Sequence, residues 1–163
     1  MVKIGILGVG TVGTSVAKIL EENADIIEAR AGKKIVVKSG VVKNLSKDRG
    51  LSIKISDNPL DIVDDPEIDI VVELMGGVDE PYALVKKALE NGKAVVTANK
   101  ALLAYHRYEL QAIAGDIPLM YEASTAGGIP IIGALRNAPM IGMPPAVLAS
   151  YMSGMSPAMA WSS

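Results

Sequence analysis

The sequence predicts an α/β protein with a doubly wound, mostly parallel sheet, followed by an irregular C-terminal tail. Over the first 136 residues, short apolar runs typical of buried strands alternate with longer runs of helical spacing. Strands that alternate with helices pair in parallel, because each helix carries the chain back across the sheet. Half of the 163 residues are apolar, which is enough for a substantial core.

The first half of the chain contains three of the predicted strands. Lys3–Leu7 is a short buried strand, and Val12–Leu20 follows it with helical spacing. We expect the apolar side of this helix to consist of Val12, Val16, Ile19 and Leu20. The elements expected next are a polar loop at Asn23–Lys34, a valine-rich strand at Ile35–Val42, a charged connection at Asn44–Gly50 and a weak strand around Ile53 and Ile55.

The second half begins with a helix start, because Asn58 is a good N-cap and Pro59 suits the first helical position. Ile68–Leu74 reads IDIVVEL and is apolar enough to be buried on both faces of a sheet. The remaining elements are a helix at Pro81–Asn91 ended by Gly92, a strand at Ala94–Thr97, a helix at Lys100–Ala114, a strand at Leu119–Tyr121, and a loop from Glu122 that opens on a helix at Pro130.

The chain divides by composition into residues 1–136 and 137–163. The second part has no charged side chain, and it holds five of the eight methionines and four of the nine prolines. Prolines and glycines interrupt each apolar run well short of the ~20 residues of a membrane span. We expect a poorly ordered tail, or an edge where a longer protein was cut or its reading frame altered.

Charge and composition exclude several classes of function. The net charge of −2 offers no basic stripe for nucleic acid, and the absence of cysteine excludes disulfides and thiolate metal sites. His106 is the only histidine, so a multi-histidine metal site is excluded, and we expect it to face solvent. No signal-peptide cleavage pattern follows the apolar start. We therefore expect a cytoplasmic protein.

The turn Gly8-Val9-Gly10-Thr11-Val12-Gly13 lies between the first strand and the first helix. In a Rossmann-type domain the first glycine makes a tight turn, the second lets the backbone approach a pyrophosphate and the third lets helix and strand pack closely. The helix N-terminus offers free N–H groups to the phosphates. We predict dinucleotide binding by Gly8, Gly10, Thr11, Val12 and Gly13; a glycine-rich turn without a ligand is the alternative.

The second predicted strand lacks the terminal carboxylate that holds the ribose of NAD. It ends in Val42-Lys43-Asn44, and Lys47 and Arg49 follow shortly after. Such cations would accept a 2′-phosphate, so Lys43 and Asn44 become candidate cofactor contacts and NADP is slightly favoured. An ordinary solvated loop is the alternative, and NAD is not excluded.

Later segments resemble the nucleotide-binding half of the homoserine dehydrogenase family, from about Val2 to Arg136. The matching pieces are the opening G-x-G-x-V-G, Glu73-Leu74-Met75-Gly76-Gly77, Thr97-Ala98-Asn99-Lys100, and Tyr121-Glu122-Ala123-Ser124 through Ile132. The resemblance implies a nicotinamide-dependent interconversion of aspartate semialdehyde and homoserine, on the route to threonine and methionine.

Two groups of candidate site residues follow strand ends in the resembling region. Met75 and Gly76 follow one strand, and Thr97, Asn99 and Lys100 follow the next, where ligands sit in open parallel sheets. The resemblance implies that Lys100 contacts the nicotinamide side of the cofactor and orients the aldehyde. A lysine that simply begins a helix in solvent is the alternative.

The loop that starts at Glu122 combines a carboxylate with small residues whose carbonyls could face a hard cation. The resemblance implies a structural sodium ion held by Glu122 and the carbonyls of Thr125, Gly127 and Ile129. Threonine stands at position 125 where the family frequently has valine, a change that a carbonyl ligand should tolerate. A glycine turn without an ion is the alternative.

Catalysis needs groups that the resembling region does not supply. In the family, a following α+β domain carries the catalytic lysine, the substrate-binding acids and most of the subunit contact, whereas residues 137–163 here contain no lysine or carboxylate. We therefore expect a homoserine dehydrogenase-like chain that holds the cofactor half and is inactive alone, with homo-oligomerisation left open. The alternative is a non-catalytic fragment that binds nucleotide or docks on a partner.

Overall fold

The computed structural model describes residues 1–121, which contain six strands and five helices. The strands are β1 (Val2–Leu7), β2 (Ile35–Val41), β3 (Lys54–Ser56), β4 (Ile70–Glu73), β5 (Ala94–Thr97) and β6 (Leu119–Met120). The helices are α1 (Thr11–Glu22), α2 (Ala24–Ala31), α3 (Leu60–Val63), α4 (Asp79–Glu90) and α5 (Lys100–Ala114).

The six strands form one sheet in the order β3-β2-β1-β4-β5-β6. Every neighbouring pair is parallel. The chain winds outward from β1 to β3, returns to the other side of β1 and winds outward again to β6. This confirms the predicted doubly wound Rossmann fold, and it places a crevice between the carboxyl ends of β1 and β4, where the winding direction changes.

Helix α1 packs on the sheet through a side that matches the predicted one at Val16 and Leu20 only. Gly13 and Ala17 are buried, and Val16 and Leu20 pack beside them at the spacing of one helical face. Val12 and Ile19 are 60% and 56% exposed, so their assignment to the apolar side was wrong. The cause is the small residue Gly13, which brings the helix start close to the sheet and sets the rotation of the helix.

The segment predicted as a loop at Asn23–Lys34 contains helix α2 (Ala24–Ala31), so that prediction was wrong. No residue of α2 is buried, and the helix ends at Gly32 in the left-handed conformation with φ +67°. Asp25 in its first turn and Arg30 in its last turn complement the helix dipole. The helix therefore depends on local interactions and shows no apolar stripe in the sequence.

Other boundaries agree within two residues. The helix expected to begin at Pro59 with Asn58 as its N-cap is the four-residue α3, which begins at Leu60 with Pro59 as its N-cap. The Asn58 side chain still accepts a hydrogen bond from the Leu60 N–H at 3.1 Å. The loop from Glu122, the helix at Pro130 and the boundary between residues 136 and 137 lie outside the described residues. Within residues 1–121, no helix is both long and apolar enough to cross a membrane.

Candidate functional site

The glycine turn after β1 is held by both neighbouring strands. Gly8 has φ +96°, and a Cβ there would lie 2.8 Å from the Leu74 carbonyl oxygen just beyond β4. The N–H groups of Gly8 and Val9 both donate to the Val41 carbonyl, at 3.1 and 2.9 Å. The turn is thus fixed in position by β2 and the end of β4 before α1 begins.

Gly13 is crowded by neighbouring backbone, whereas Gly10 borders open space. A Cβ on Gly13 would overlap the Gly8 carbonyl oxygen, so this position packs helix against turn. A Cβ on Gly10 would meet nothing within 4 Å. Gly10 is the N-cap of α1 and has no side chain to cover the first turn, whose N–H groups lack partners in the helix itself. The open backbone at Gly10 can therefore approach an anionic group.

Two clefts meet at Gly10. One, of about 210 Å³, opens between the ends of β1, β2 and β4 and is lined by Gly8, Gly10, Lys43, Met75, Gly76 and Glu80 among others. The other, of about 470 Å³, runs along α1 past Thr11 and Lys18 to Arg49. Gly10, at the uncapped start of α1, lines both clefts, and we refer to the two clefts together as the groove.

The connection after β2 brings its cations to this groove in different ways. Lys43 is 80% exposed, and its Nζ lies 3.0 Å from Oε2 of Glu80 on α4. The Arg49 guanidinium donates to the carbonyls of Val9, Lys47 and Asn44 at 2.7, 2.6 and 2.9 Å. Arg49 therefore ties the connection to the glycine turn, and Lys43 keeps an accessible charge.

The carboxylate of Glu73 is buried at the end of β4. Its Oε1 accepts from the Met75 N–H at 2.7 Å, and its Oε2 accepts from the Thr97 hydroxyl at the end of β5. Burial raises the pKa of Glu73, while the hydrogen bonds from Thr97, Met75 and Asn99 oppose that rise. Glu73 thus joins the ends of two adjacent strands beneath the groove.

Asn99 extends this connection to the loops. Its N–H donates to the Thr97 hydroxyl at 3.0 Å, and its Nδ2 donates to the carbonyls of Gly77 and Met75 at 2.9 and 3.4 Å. Its Oδ1 accepts from the Leu102 N–H at 3.0 Å and so caps α5. One side chain therefore sets the 75–77 loop against the start of the helix that carries Lys100.

Lys100 is exposed in the first position of α5, next to Asn99. Thr97 is 1% exposed, and its hydroxyl is engaged with Glu73 and Asn99, so its side chain supports the loops from below.

His106, expected in solvent, is partly covered by the stacked ring of Tyr82 at 4.1 Å between centroids.

Another cleft of similar size lies away from the glycine turn. A mostly apolar cleft of about 330 Å³ lies at the opposite end of β2, between Leu20, Ile35 and Leu51. It contains no part of the glycine turn. Among the described residues, no group of three His, Cys, Asp or Glu side chains could hold a metal ion.

Residues 8–116 match the family model described as "Homoserine dehydrogenase, NAD binding domain". The chain belongs to the homoserine dehydrogenase family. The homoserine dehydrogenase of Helicobacter pylori is 55% identical over 134 residues, which cover 82% of this chain and 32% of that protein. The homoserine dehydrogenase of Pseudomonas aeruginosa is 47% identical over 140 residues, which cover 83% of this chain and 32% of that protein. The chain therefore spans about a third of the length of these relatives.

Solved homoserine dehydrogenases share the fold. The Thiobacillus denitrificans structure has a TM-score of 0.79 at 48% identity, covering 83% of this chain and 32% of that one. A hyperthermophilic archaeal homoserine dehydrogenase, solved in complex with NADPH, has a TM-score of 0.70 at 24% identity. This match covers 99% of this chain and 59% of that one. The second likeness concerns the fold alone.

Within this homoserine dehydrogenase-family chain, six of the predicted cofactor contacts line the two clefts: Gly8, Gly10, Thr11, Lys43, Met75 and Gly76. Gly13 instead packs the helix against the turn. Val12, Asn44, Asn99 and Lys100 line neither cleft, and Asn99 and Lys100 lie at the start of α5. Their contacts with a cofactor stay predictions. The predicted sodium ligands Glu122, Thr125, Gly127 and Ile129 lie outside the described residues, so that site stays a prediction.

Sequence reasoning missed Glu73 and Glu80 as parts of the site. The signal for Glu73 was a carboxylate at the end of IDIVVEL, a run apolar enough to be buried on both faces. Glu80 gave no such signal, because its proximity to Lys43 joins two segments that are far apart in the sequence, the start of α4 and the connection after β2.

Proposed function

We propose that this chain binds a nicotinamide dinucleotide, with the diphosphate at the uncapped start of α1. The observation that carries the proposal is the open backbone at Gly10, where a Cβ would meet nothing within 4 Å. A diphosphate needs that approach, and the helix start offers N–H groups and partial positive charge to it. The family model that matches residues 8–116 supports the same cofactor class.

The residues around the groove fit such a cofactor. The accessible ammonium of Lys43 and the nearby Asn44 suit a 2′-phosphate, so NADP(H) is the favoured form and NAD(H) is also accepted. Glu73 and Asn99 hold the 75–77 loop and the start of α5, and Lys100 is exposed at the first position of that helix.

The proposed reaction of the whole protein is the interconversion of aspartate 4-semialdehyde and homoserine. The bound nicotinamide would supply or accept the hydride. Lys100 would orient the nicotinamide and the aldehyde, and its exposed position at the start of α5 is compatible with that role. The support is the match to relatives that carry the name homoserine dehydrogenase.

The test separates binding from turnover on the 163-residue chain. Titration with NADPH and NADH, followed by reduced-nicotinamide fluorescence, should show saturable binding of one equivalent. A parallel assay with aspartate semialdehyde should show no NADPH oxidation, because residues 137–163 contain no lysine or carboxylate to complete the chemistry. A folded chain that binds neither nucleotide would overturn the proposed cofactor role, and measurable turnover would overturn the expected inactivity.

A further inference from the structure

The adenosine ribose of NAD is ordinarily held by a carboxylate at the end of the second strand. Here the strand is followed by Val42, Lys43 and Asn44, which provide no carboxylate. A chain that binds NAD(H) with this sequence must find another acceptor for the ribose hydroxyls or do without one.

A carboxylate reaches the same place from a different element. Glu80 lies in the first turn of α4, and its Oε2 is 3.0 Å from the Nζ of Lys43. Both side chains line the 210 Å³ cleft together with Gly8, Gly10 and Gly76. The side chains of Lys43 and Glu80 are 80% and 47% exposed, so both remain accessible to a ligand entering the cleft.

We propose that Glu80 is the ribose-binding carboxylate of this chain and that, with Lys43, it sets the preference between NAD(H) and NADP(H). The inference rests on the proposed function and deepens it. Glu80 accepts hydrogen bonds from the 2′- and 3′-hydroxyls of NAD(H). With NADP(H), Lys43 pairs with the 2′-phosphate, and Glu80 then faces a like charge.

The ion pair is suited to such an exchange of partners. Exposed pairs of this kind contribute little to folding, since water solvates both charges well. Either partner can therefore leave the other at small cost when a ligand offers a better contact. By contrast, a carboxylate directly beside a 2′-phosphate is unfavourable, because like charges brought together at a binding surface oppose association. With Lys43 alone, the chain would prefer NADP(H) more strongly, and Glu80 reduces that preference.

One other carboxylate lines the same cleft and must be distinguished. Asp57 is exposed just after β3, one strand farther from Gly10 than the end of β2. The structure pairs Lys43 with Glu80, and this proximity to the cation expected to bind a 2′-phosphate favours Glu80. Asp57→Asn is therefore the competing variant.

The test measures dissociation constants for NADH and NADPH with the 163-residue chain and four variants. We expect Glu80→Gln to weaken NADH binding and strengthen NADPH binding, raising the NADPH preference about tenfold, the size of one charged hydrogen bond. Lys43→Gln should move the preference toward NADH. Glu90→Gln is the matched control, because Glu90 pairs with Lys86 at the far end of the same helix.

The ratio of the two constants decides the outcome, because a loss of folded protein lowers both affinities together. An unchanged ratio in Glu80→Gln, or an equal shift in Glu90→Gln, would overturn the proposal. A shift produced by Asp57→Asn but not by Glu80→Gln would assign the ribose contact to Asp57 instead. If the unmodified chain bound neither nucleotide, the proposed function itself would fail, a result distinguishable from a failure of this inference.

Discussion

Gly10 and Gly13 lie three residues apart and have different reasons to be glycine. A Cβ on Gly13 would run into the Gly8 carbonyl oxygen, which is backbone and cannot rotate away. Gly10 has extended backbone dihedrals, and open space surrounds its α-carbon. Packing therefore requires glycine at position 13, whereas access for a ligand is the reason at position 10.

A pair of alanine substitutions separates these two reasons. Gly13→Ala should lower the free energy of unfolding by about 1–3 kcal/mol, the usual cost of overpacking a tight contact. Gly10→Ala should leave it within about 0.5 kcal/mol of the unmodified chain, as for other exposed positions. Urea denaturation followed by circular dichroism measures both, and equal losses in the two variants would contradict the assignment.

Glu73 illustrates the cost and the use of a buried charge. A carboxylate removed from water is expensive unless it is well hydrogen-bonded, and here donors reach it from β5 and from the 75–77 loop. Because burial raises its pKa above the ordinary 4.5, the native state binds the proton more tightly than the unfolded chain. Ionisation of Glu73 therefore costs native stability as the pH rises through that range.

Thr97→Val should remove the hydroxyl that offsets this cost. We expect the free energy of unfolding to fall by about 1–3 kcal/mol, because the Glu73 carboxylate loses a donor and the Asn99 N–H loses an acceptor. Thr97→Ser keeps the hydroxyl and serves as the control. Urea denaturation at several pH values should show that Thr97→Val loses stability more steeply than Thr97→Ser as the pH rises above 4.5. Parallel pH profiles would contradict this role of the hydroxyl.

At the scale of elements, the start of α5 is held by its N-cap, Asn99. Asn99 caps the helix through Oδ1 and binds the Gly77 carbonyl through Nδ2, so the helix start and the 75–77 loop share one side chain. The exposed Lys100 follows directly. The position of its ammonium therefore depends on contacts made by the preceding residue.

Asn99→Ala should lower the free energy of unfolding by about 1 kcal/mol more than Asn99→Ser, because serine still caps a helix and alanine does not. Neither variant can donate to the Gly77 carbonyl as the amide does. Both should therefore show faster amide hydrogen exchange in the 75–77 loop. Chemical denaturation gives the first result and exchange measured by mass spectrometry gives the second; protection unchanged in both variants would contradict the link between helix and loop.

The acidic segment between α3 and β4 forms a set of ion pairs in the structure. Lys38 binds Asp65 at 2.5 Å and Glu67 at 2.6 Å, and Lys3 binds Glu67 at 2.6 Å. Lys38 lowers the pKa of Asp65, and Lys3 with Lys38 lowers that of Glu67. At a pH above their ordinary pKa values of 3.8 and 4.5, these carboxylates stabilise the native state. This stabilisation is lost as the pH falls through the lowered pKa values of the native state.

Lys38→Gln should therefore lower the urea midpoint at pH 7, and the difference should shrink as the pH falls below 3.8, because protonation removes the carboxylate charges that Lys38 binds. High salt should reduce the difference at pH 7, because these charges are near the surface. Lys33→Gln, at an exposed lysine between α2 and β2, provides the control for loss of a positive charge. A difference between the Lys38 and Lys33 variants that did not shrink as the pH was lowered would contradict the ion-pair account.

For the whole molecule, the sheet could be predicted because its strands are apolar runs whose burial the sequence makes visible. The run IDIVVEL contains all of β4, and the strand predicted at Ala94–Thr97 has the same bounds as β5. Helix α2 could not be predicted in the same way, since a helix with no buried residue leaves no apolar period. The rotation of α1 also escaped prediction, because it depends on contact between Gly13 and the turn.

The candidate site was predictable only where one short segment carries the chemistry. The glycine turn and the loops after β4 and β5 are local patterns that topology brings to one edge. The pairs that connect them, Glu73 with Thr97 and Lys43 with Glu80, join residues far apart in the chain. Such pairs depend on side-chain packing, which strand and helix patterns do not specify.

The central claim is that the backbone at Gly10 receives the diphosphate of a nicotinamide dinucleotide. Isothermal titration of NADPH into the 163-residue chain and into Gly10→Ala tests it most directly, with circular dichroism melting curves to show that the two are equally folded. The account predicts saturable binding to the unmodified chain and an affinity at least about tenfold weaker for Gly10→Ala. Equal affinity in the two proteins, or no binding by the folded unmodified chain, would contradict it.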